Sequence, residues 1–231
     1  MTNDSCDTVV FDLGGVLIDW DPRHLYRTLF CGDHAAMERF LSEVCTPTWN
    51  QQQDAGRPWA EAVAVLQEQY PEYDELIRAY RLRWSEMVAG EIPGTVAILR
   101  ALHAVGTPLY ALTNWSQETF PIAQQRFDFL SLFRGIVVSG SERLVKPDLA
   151  IYRLLVERFD LNPARCVYID DSATNAAAAT LLGMNSAFDH ALRQPHVKII
   201  VLAAKGQHFR SGHDLSGDGS KTWRDFQVVG T

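Results

Sequence analysis

The sequence predicts an α/β protein with a doubly wound, Rossmann-like parallel sheet and a small helical cap inserted after the first strand. Short apolar segments rich in β-branched residues alternate with helical patterns along most of the chain, which is typical of a parallel sheet covered by helices. The alternation stops between residues 21 and 90, where amphipathic helical patterns follow one another. The chain has 231 residues, of which 47% are hydrophobic and 21% charged. This is enough for one α/β domain with an insertion.

Four segments have the continuous apolar pattern of strands buried in a parallel sheet, and a fifth segment has a weaker one. The four are residues 8–11, 109–112, 136–138 and 166–169, and the weaker one is 186–188. Because helical patterns separate these segments, the sequence favours parallel strands joined by crossover helices.

Three helices are expected between these strands. One begins at Thr95 and ends before Gly106, a residue suited to a C-cap. The others cover residues 149–159 and 175–182. The predicted buried stripe of the first helix consists of Ile98, Leu99, Leu102 and Val105.

These patterns divide the chain into a core, a cap and a tail. Residues 1–20 and 91–190 are assigned to the core, residues 21–90 to the cap, and residues 191–231 to the tail. The tail is rich in Gly, Ser and Asp after a strand-like beginning.

Within the cap, amphipathic patterns predict helices and no strand. The helices are expected over residues 37–44, 59–70 and 74–88. Proline residues stand where these helices begin or end, as their fixed backbone angle favours.

Charge and cysteine content argue against several classes of function. A net charge of −7 gives no electrostatic reason to expect binding to nucleic acid or to an anionic membrane. No apolar run is long enough to span a bilayer, and the N-terminal segment lacks the features of a signal peptide. The four cysteines form no C-x-x-C pair, which is typical of reduced thiols. We therefore expect a cytoplasmic protein without nucleic-acid or membrane partners, and nothing in the sequence indicates an oligomeric state.

Polar signatures follow four of the predicted strands. They are Asp12-Leu-Gly-Gly, Thr113-Asn114, Lys146-Pro147 and Asp170-Asp171. In an open parallel sheet the carboxyl ends of the strands line the ligand crevice. We therefore expect these carboxylates, the ammonium group and the hydroxyl and amide groups to meet in one pocket.

The residue types in this pocket suit the hydrolysis of a phosphate ester. The Asp12 carboxylate can attack phosphorus and form an acyl phosphate that water then cleaves. Because nucleophile and substrate are both anionic, a hard cation is needed between them, and Asp12 and Asp171 offer oxygen ligands to Mg²⁺. Lys146 adds a positive charge, and Thr113 can bind phosphoryl oxygens through its hydroxyl. The expected partner is a small phosphorylated molecule, with Mg²⁺ as cofactor.

In this order the motifs resemble those of the haloacid dehalogenase superfamily of hydrolases. The resemblance covers residues 7–190, and the Asp-Leu-Gly-Gly-Val, Leu-Thr-Asn-Trp and Ile-Asp-Asp-Ser segments are similar to the sugar-phosphate and epoxide-hydrolase-related phosphatases. The resemblance implies a Mg²⁺-dependent phosphatase with an aspartyl-phosphate intermediate. The implied catalytic residues are Asp12 and Lys146, and the implied substrate-binding residues are Thr113, Asn114 and Lys146.

The same resemblance implies a metal site. Its expected ligands are Asp12, the Gly14 carbonyl and Asp171. Asp170 is expected to support the site through hydrogen bonds or water, and Asn175 is expected to orient Asp171. These roles follow from the resemblance together with the preference of Mg²⁺ for oxygen ligands.

One position departs from the resembling phosphatases. They usually have a second aspartate two residues after the nucleophile as general acid and base, where this chain has Gly14. A general acid typically contributes about 10²–10⁴-fold to the rate. Some members of the resembling branch also have glycine at this position.

Two alternatives follow from Gly14. A 2-haloacid dehalogenase needs neither a metal nor a proton for its halide leaving group. Against this alternative, Asp170 and Asp171 would repel the carboxylate of a haloacid unless a cation offset them. The second alternative is a phosphate-binding module that has lost turnover.

Residues 196–215 of the tail resemble a different family, the enoyl-CoA hydratase (crotonase) superfamily. The resemblance covers a strand and a loop in which a backbone N–H, here at Ser211, would polarise a thioester carbonyl. The catalytic carboxylates and most of that fold are missing. We therefore expect the tail to be dispensable for hydrolysis.

Overall fold

The computed structural model describes residues 7–186 as a parallel sheet, its helices and a helical insertion. The strands are β1 (Thr8–Phe11), β2 (Ile18–Trp20), β3 (Val88–Glu91), β4 (Leu109–Thr113), β5 (Gly135–Val138), β6 (Cys166–Ile169) and β7 (Asn185–Ser186). The tail, with its crotonase-like segment, lies outside the described residues, as does most of the weak strand predicted over 186–188.

Ten α-helices lie within residues 7–186. They are α1 (Arg23–Leu29), α2 (His34–Glu43), α3 (Pro47–Asp54), α4 (Trp59–Gln69), α5 (Asp74–Leu82), α6 (Pro93–Ala104), α7 (Phe120–Arg126), α8 (Ser139–Glu142), α9 (Leu149–Arg158) and α10 (Ala173–Leu181). None of the helices in this range is long and apolar enough to cross a bilayer.

Five strands form one parallel sheet in the order β5-β4-β1-β6-β7. The α/β fold expected from the sequence is thereby confirmed. The central strand β1 is buried along its whole length, which explains its continuous apolar run, because both faces of a parallel strand are covered. Its side chains alternate between two hydrophobic clusters, with Val9 and Phe11 in one and Val10 in the other.

The order of the strands places a crevice at the end of β1. After β1 the main sheet continues with β4 and β5 on one side of it, and then with β6 and β7 on the other side. Such a reversal of direction separates the loops at the carboxyl ends of neighbouring strands and leaves room for a ligand. Three of the four predicted polar signatures stand at the ends of strands at this edge, and the fourth, Lys146-Pro147, lies beyond α8, the helix that follows β5.

The insertion is framed by an antiparallel pair of strands that the sequence patterns did not predict. β2 pairs with β3, and Ile18 lies opposite Glu91. The helix predicted over 74–88 is wrong in its second half: α5 ends at Leu82, a 3-10 turn follows, and β3 begins at Val88. The two strands bring the start and the end of the insertion together beside the core.

An aromatic cluster fills the interior of the insertion. The ring of Tyr80 lies 5.1 Å from that of Trp49, 5.7 Å from that of Trp59 and 6.0 Å from that of Tyr26, measured between centroids. These side chains are buried, and stacked, tilted and edge-on ring pairs of this kind stabilise a core beyond their buried area.

The buried face of α6 agrees only in part with the predicted stripe. Val96 and Leu99 are buried, whereas Ile98 is 48% exposed and Val105 is 78% exposed. Val105 lies beyond the end of the helix, and Gly106 has a positive φ of 82°, as a C-cap glycine does. The prediction is right for Leu99, which is buried, and for Leu102, which packs against the core. It is wrong for Ile98 and Val105, because the segment contains more apolar residues than one helix face can bury.

Neighbouring residues of α6 therefore make a matched test of this packing. Leu99→Ala removes a fully buried side chain and leaves a cavity, so we expect the free energy of unfolding to fall by about 2–5 kcal/mol. Ile98→Ala is expected to cost less than about 1 kcal/mol, because this side chain is half exposed. Urea denaturation followed by circular dichroism measures both changes, and equal losses would contradict the assigned face.

Candidate active site

Asp12 lies at the end of β1, where the chain leaves the sheet. Its backbone N–H donates to the Ile169 carbonyl at 2.8 Å, and its own carboxylate accepts a hydrogen bond from the Leu13 N–H at 2.7 Å. Only 7% of the residue is exposed. Burial raises the pKa of Asp12, and Lys146 opposes that shift.

Lys146 lies between two carboxylates. Its Nζ atom is 2.8 Å from Oδ2 of Asp12 and 2.7 Å from Oδ2 of Asp170, and its side chain is 1% exposed. Burial lowers the pKa of Lys146, but the two carboxylates more than compensate and the pKa lies above its usual value. A buried ammonium group needs such partners, because an unpaired charge in the interior is strongly unfavourable.

Asn114 fixes the backbone that presents this lysine. Its side-chain amide donates to the Lys146 carbonyl at 3.0 Å, and its carbonyl oxygen accepts from the Lys146 N–H at 2.8 Å. The Asn114 side chain, which is expected from the sequence to bind substrate, therefore joins the loop after β4 to the segment that contains Lys146. Thr113, at the end of β4, is buried beside it.

Asp170 is surrounded by hydrogen-bond donors. It accepts from the hydroxyl of Tyr168 at 2.7 Å, the backbone N–H of Ser172 at 2.8 Å and the amide of Asn175 at 3.0 Å. Asn175 therefore holds Asp170. The sequence had predicted that Asn175 orients Asp171 instead. The donor set fixes Asp170, which in turn fixes the Lys146 ammonium.

Asp171 is the exposed carboxylate of the site. Oxygen atoms of Asp12, Asp170 and Asp171 all lie within 4.8 Å of one another. Burial and the neighbouring Asp170 raise the pKa of Asp171. Gly15, with φ +74°, passes so close that a Cβ atom there would clash with the Asp171 carboxylate, so this glycine lets the loop after β1 approach the acidic cluster.

The charges at this point do not balance. Three carboxylates, when ionised, and one ammonium group leave two negative charges. Carboxylate oxygens at this spacing suit a hard divalent cation, which prefers oxygen ligands. The residues present therefore fit such an ion, and their own repulsion is relieved by it.

A pocket of about 60 Å³ adjoins this cluster on the side of the helical insertion. Gly14 contributes to it, and a Cβ atom added there would meet nothing within 4 Å. The lining residues come from the core loops and from the insertion: Gly14, Trp20, Asn50, Asp54, Trp59, Trp84, Asn114, Trp115 and Thr119.

Asp54 is the site residue that the sequence patterns missed. It is the last residue of α3, a helix that was itself not predicted. No motif spacing indicates Asp54, because its contact with the core is between residues far apart in the chain. The Ser139 hydroxyl, which donates to the Asp54 carbonyl, is 85 positions away.

Comparison with known proteins gives a consistent result. A family model described as a haloacid dehalogenase-like hydrolase matches residues 6–183. The sesquiterpene phosphatase astK of Aspergillus oryzae is 26% identical over 184 residues, covering 76% of this chain and 85% of that protein. A phosphorylated carbohydrates phosphatase of Thermotoga maritima is 24% identical over 186 residues, covering 77% of this chain and 82% of that protein.

A solved structure shares the fold. The HAD family enzyme bt-2542 from Bacteroides thetaiotaomicron, in complex with magnesium and inorganic phosphate, superimposes with a TM-score of 0.61 at 23% identity. The match covers 79% of this chain and 93% of that one. At this level of identity the likeness shows the architecture of the sheet and its helices.

The two glycines after Asp12 allow a matched test of the acidic cluster. Gly15→Ala should displace the Asp171 carboxylate and weaken Mg²⁺ binding by roughly 10-fold or more, a size typical of disturbed metal-site residues. Gly14→Ala adds the same methyl group in open space and is expected to leave Mg²⁺ affinity within about 2-fold. Isothermal titration with MgCl₂ measures both, and the interpretation fails if the two variants bind alike.

Proposed function

The chain belongs to the haloacid dehalogenase-like hydrolase family, and we propose that it is a Mg²⁺-dependent phosphatase of small phosphate monoesters that forms an aspartyl-phosphate on Asp12. The proposal rests on the excess of negative charge at the end of β1. Three carboxylates and the single ammonium of Lys146 would repel an anionic substrate. With a divalent cation the same cluster becomes a site that attracts phosphate.

We assign the cation ligands to Asp12, the Gly14 carbonyl and Asp171. Asp170 is a weaker candidate, because its side chain is fully buried and already accepts hydrogen bonds from several donors. Asp171 is exposed, and residues 7–186 give it no such set of donors. When bound, Mg²⁺ supplies positive charge that offsets the repulsion between nucleophile and phosphoryl oxygens.

The other residues act on the nucleophile and on the phosphoryl group. Lys146 favours the ionised form of Asp12 and lies where it can also bind a phosphoryl oxygen. Thr113 can donate a hydrogen bond to another oxygen. Asp170 and Asn114 hold Lys146 through its ammonium and its backbone, and Asn114 also lines the pocket, where it can contact substrate.

Two observations bear on the leaving group. The pocket beside Gly14 is lined by four tryptophans, namely Trp20, Trp59, Trp84 and Trp115. Flat apolar faces of this kind pack against a sugar ring or a hydrocarbon chain better than against an anionic group. The relatives named for sesquiterpene and carbohydrate substrates support the same conclusion, and we propose an uncharged leaving group.

The charge cluster also bears on the dehalogenase alternative. A 2-haloacid is itself a carboxylate and would approach Asp170 and Asp171, which lie beside the nucleophile. A metal-independent dehalogenase would meet this repulsion without relief. In a phosphatase, a bound cation offsets the repulsion between the acidic cluster and the anionic substrate. The acidic cluster therefore favours phosphate esters as substrates.

The nucleophile and the cation can be tested together. Asp12→Asn removes the attacking carboxylate, so we expect hydrolysis of p-nitrophenyl phosphate to fall by at least about 10³-fold. EDTA should abolish the wild-type rate and added MgCl₂ should restore it. A continuous assay of p-nitrophenol release measures each of these rates.

A surface variant serves as control. Asp128→Asn alters a carboxylate that is paired with Arg100 and 80% exposed, and it should keep full activity. Metal-independent turnover or an active Asp12→Asn variant would refute the proposal. Halide release from 2-chloropropionate without metal would establish the dehalogenase, and phosphate binding without turnover of any ester would establish the binding module.

A further inference from the structure

Gly14 leaves the proposed reaction without an evident proton donor. When Asp12 attacks phosphorus, the oxygen of the leaving group departs with an electron pair and needs a proton to become a hydroxyl group. Gly14 has no side chain to supply it, and the space beside it is open. A donor is therefore to be sought among the other groups that line the same pocket.

Asp54 is the carboxyl group that shares this pocket with Gly14. Both residues line it together with Asn114. Asp54 comes from the insertion, whereas Gly14 and Asn114 come from the loops after β1 and β4, so the pocket is lined by both parts of the chain. Each of the remaining lining residues is a tryptophan, an asparagine or a threonine, and none of these is a useful acid near neutral pH.

Several hydrogen bonds hold Asp54 against the core. The Asn50 amide donates to its carboxylate at 3.2 Å, and the backbone amide of Ser116 donates to the same group. The Ser139 hydroxyl donates to the Asp54 carbonyl at 2.6 Å and itself accepts from the Trp115 N–H at 2.9 Å. The end of α3 is thus fixed, through Ser139 of α8, to the loop after β4, which also contains Asn114.

The surroundings of Asp54 favour its protonated form. Burial raises the pKa of Asp54 to about 7, and the negative charge of Asp12 adds to this rise, while the Ser116 amide and Lys146 oppose it. Nearby charged groups have other partners: Arg57, between α3 and α4, donates to Gln53. Glu142 pairs with Arg158. A carboxyl group of this kind holds a proton near neutral pH and can release it.

We infer that Asp54 is the general acid and base of this hydrolase, in place of the side chain that Gly14 lacks. The inference rests on the proposed function. The bond from Asp12 to phosphorus forms as the bond from phosphorus to the leaving oxygen breaks, and the Asp54 proton moves to that oxygen. A water molecule then loses a proton to the Asp54 carboxylate and attacks phosphorus, which releases inorganic phosphate and restores both aspartates.

The test compares two leaving groups in the intact enzyme. Asp54→Asn keeps the size of the side chain but cannot donate this proton, so kcat/KM for an alkyl phosphate should fall by about 10²–10⁴-fold. For p-nitrophenyl phosphate, whose phenolate leaves without a proton, the loss should be less than about 10-fold. Since kcat/KM reports the steps up to departure of the leaving group, later hydrolysis does not obscure the comparison.

Two further variants make the outcome specific. Glu72→Gln changes an exposed carboxyl group of the insertion and should alter neither substrate. Gly14→Asp in the Asp54→Asn background places a carboxyl group in the open space beside the nucleophile and should restore at least about 10-fold of the alkyl phosphate rate.

The pH dependence of kcat/KM in the wild-type enzyme gives a test that does not depend on how any variant folds. Because Asp54 loses its proton as the pH rises through about 7, the ratio of kcat/KM for the alkyl ester to that for the p-nitrophenyl ester should fall above that pH. A constant ratio, or an equal loss of both substrates in Asp54→Asn, would overturn the assignment of Asp54. Mg²⁺-dependent turnover that Asp12→Asn abolishes would still support the proposed function in that case, whereas an inactive wild-type enzyme would remove both.

Discussion

The ion pairs of Lys146 with Asp12 and Asp170 are the interaction on which the site depends. A lysine with a side chain 1% exposed is stable in a protein interior only when opposite charges compensate for its lost hydration. The loops after three strands are held together by this requirement: β1 provides Asp12, β6 provides Asp170, and Asn114 after β4 fixes the lysine backbone. The parallel sheet brings these loops to one edge, and the buried charges determine their spacing.

The acidic cluster gives the site its chemical character. Once Lys146 is placed between two carboxylates, Asp171 adds a third within 4.8 Å, and the excess of negative charge favours binding of a divalent cation. Gly15 permits this close approach because it has no Cβ atom. Gly14 also lacks a side chain, and there the nucleophile loses the acid expected beside it. Asp54 is the carboxyl group among the residues that line the pocket.

The sequence predicted the core of the fold better than its insertion, for physical reasons. The bounds of β1 and β6 are as predicted because central parallel strands are covered on both faces and have continuous apolar runs. β2 and β3 were missed because they are short and pair antiparallel outside the main sheet, without such a run. The four polar signatures were found because each comes after a predicted strand, whereas Asp54 reaches the site through contacts between α3 and the Ser139 segment, which no local pattern encodes.

The covalent step at Asp12 is open to direct chemical detection. During turnover of a phosphate ester with Mg²⁺, rapid quenching followed by borohydride reduction and peptide mass spectrometry should reveal homoserine at position 12, the product of a reduced aspartyl-phosphate. The modification should be absent without substrate or without metal. Turnover at an undiminished rate with an unmodified Asp12, under conditions in which a control acyl phosphate is trapped, would contradict nucleophilic catalysis by this residue.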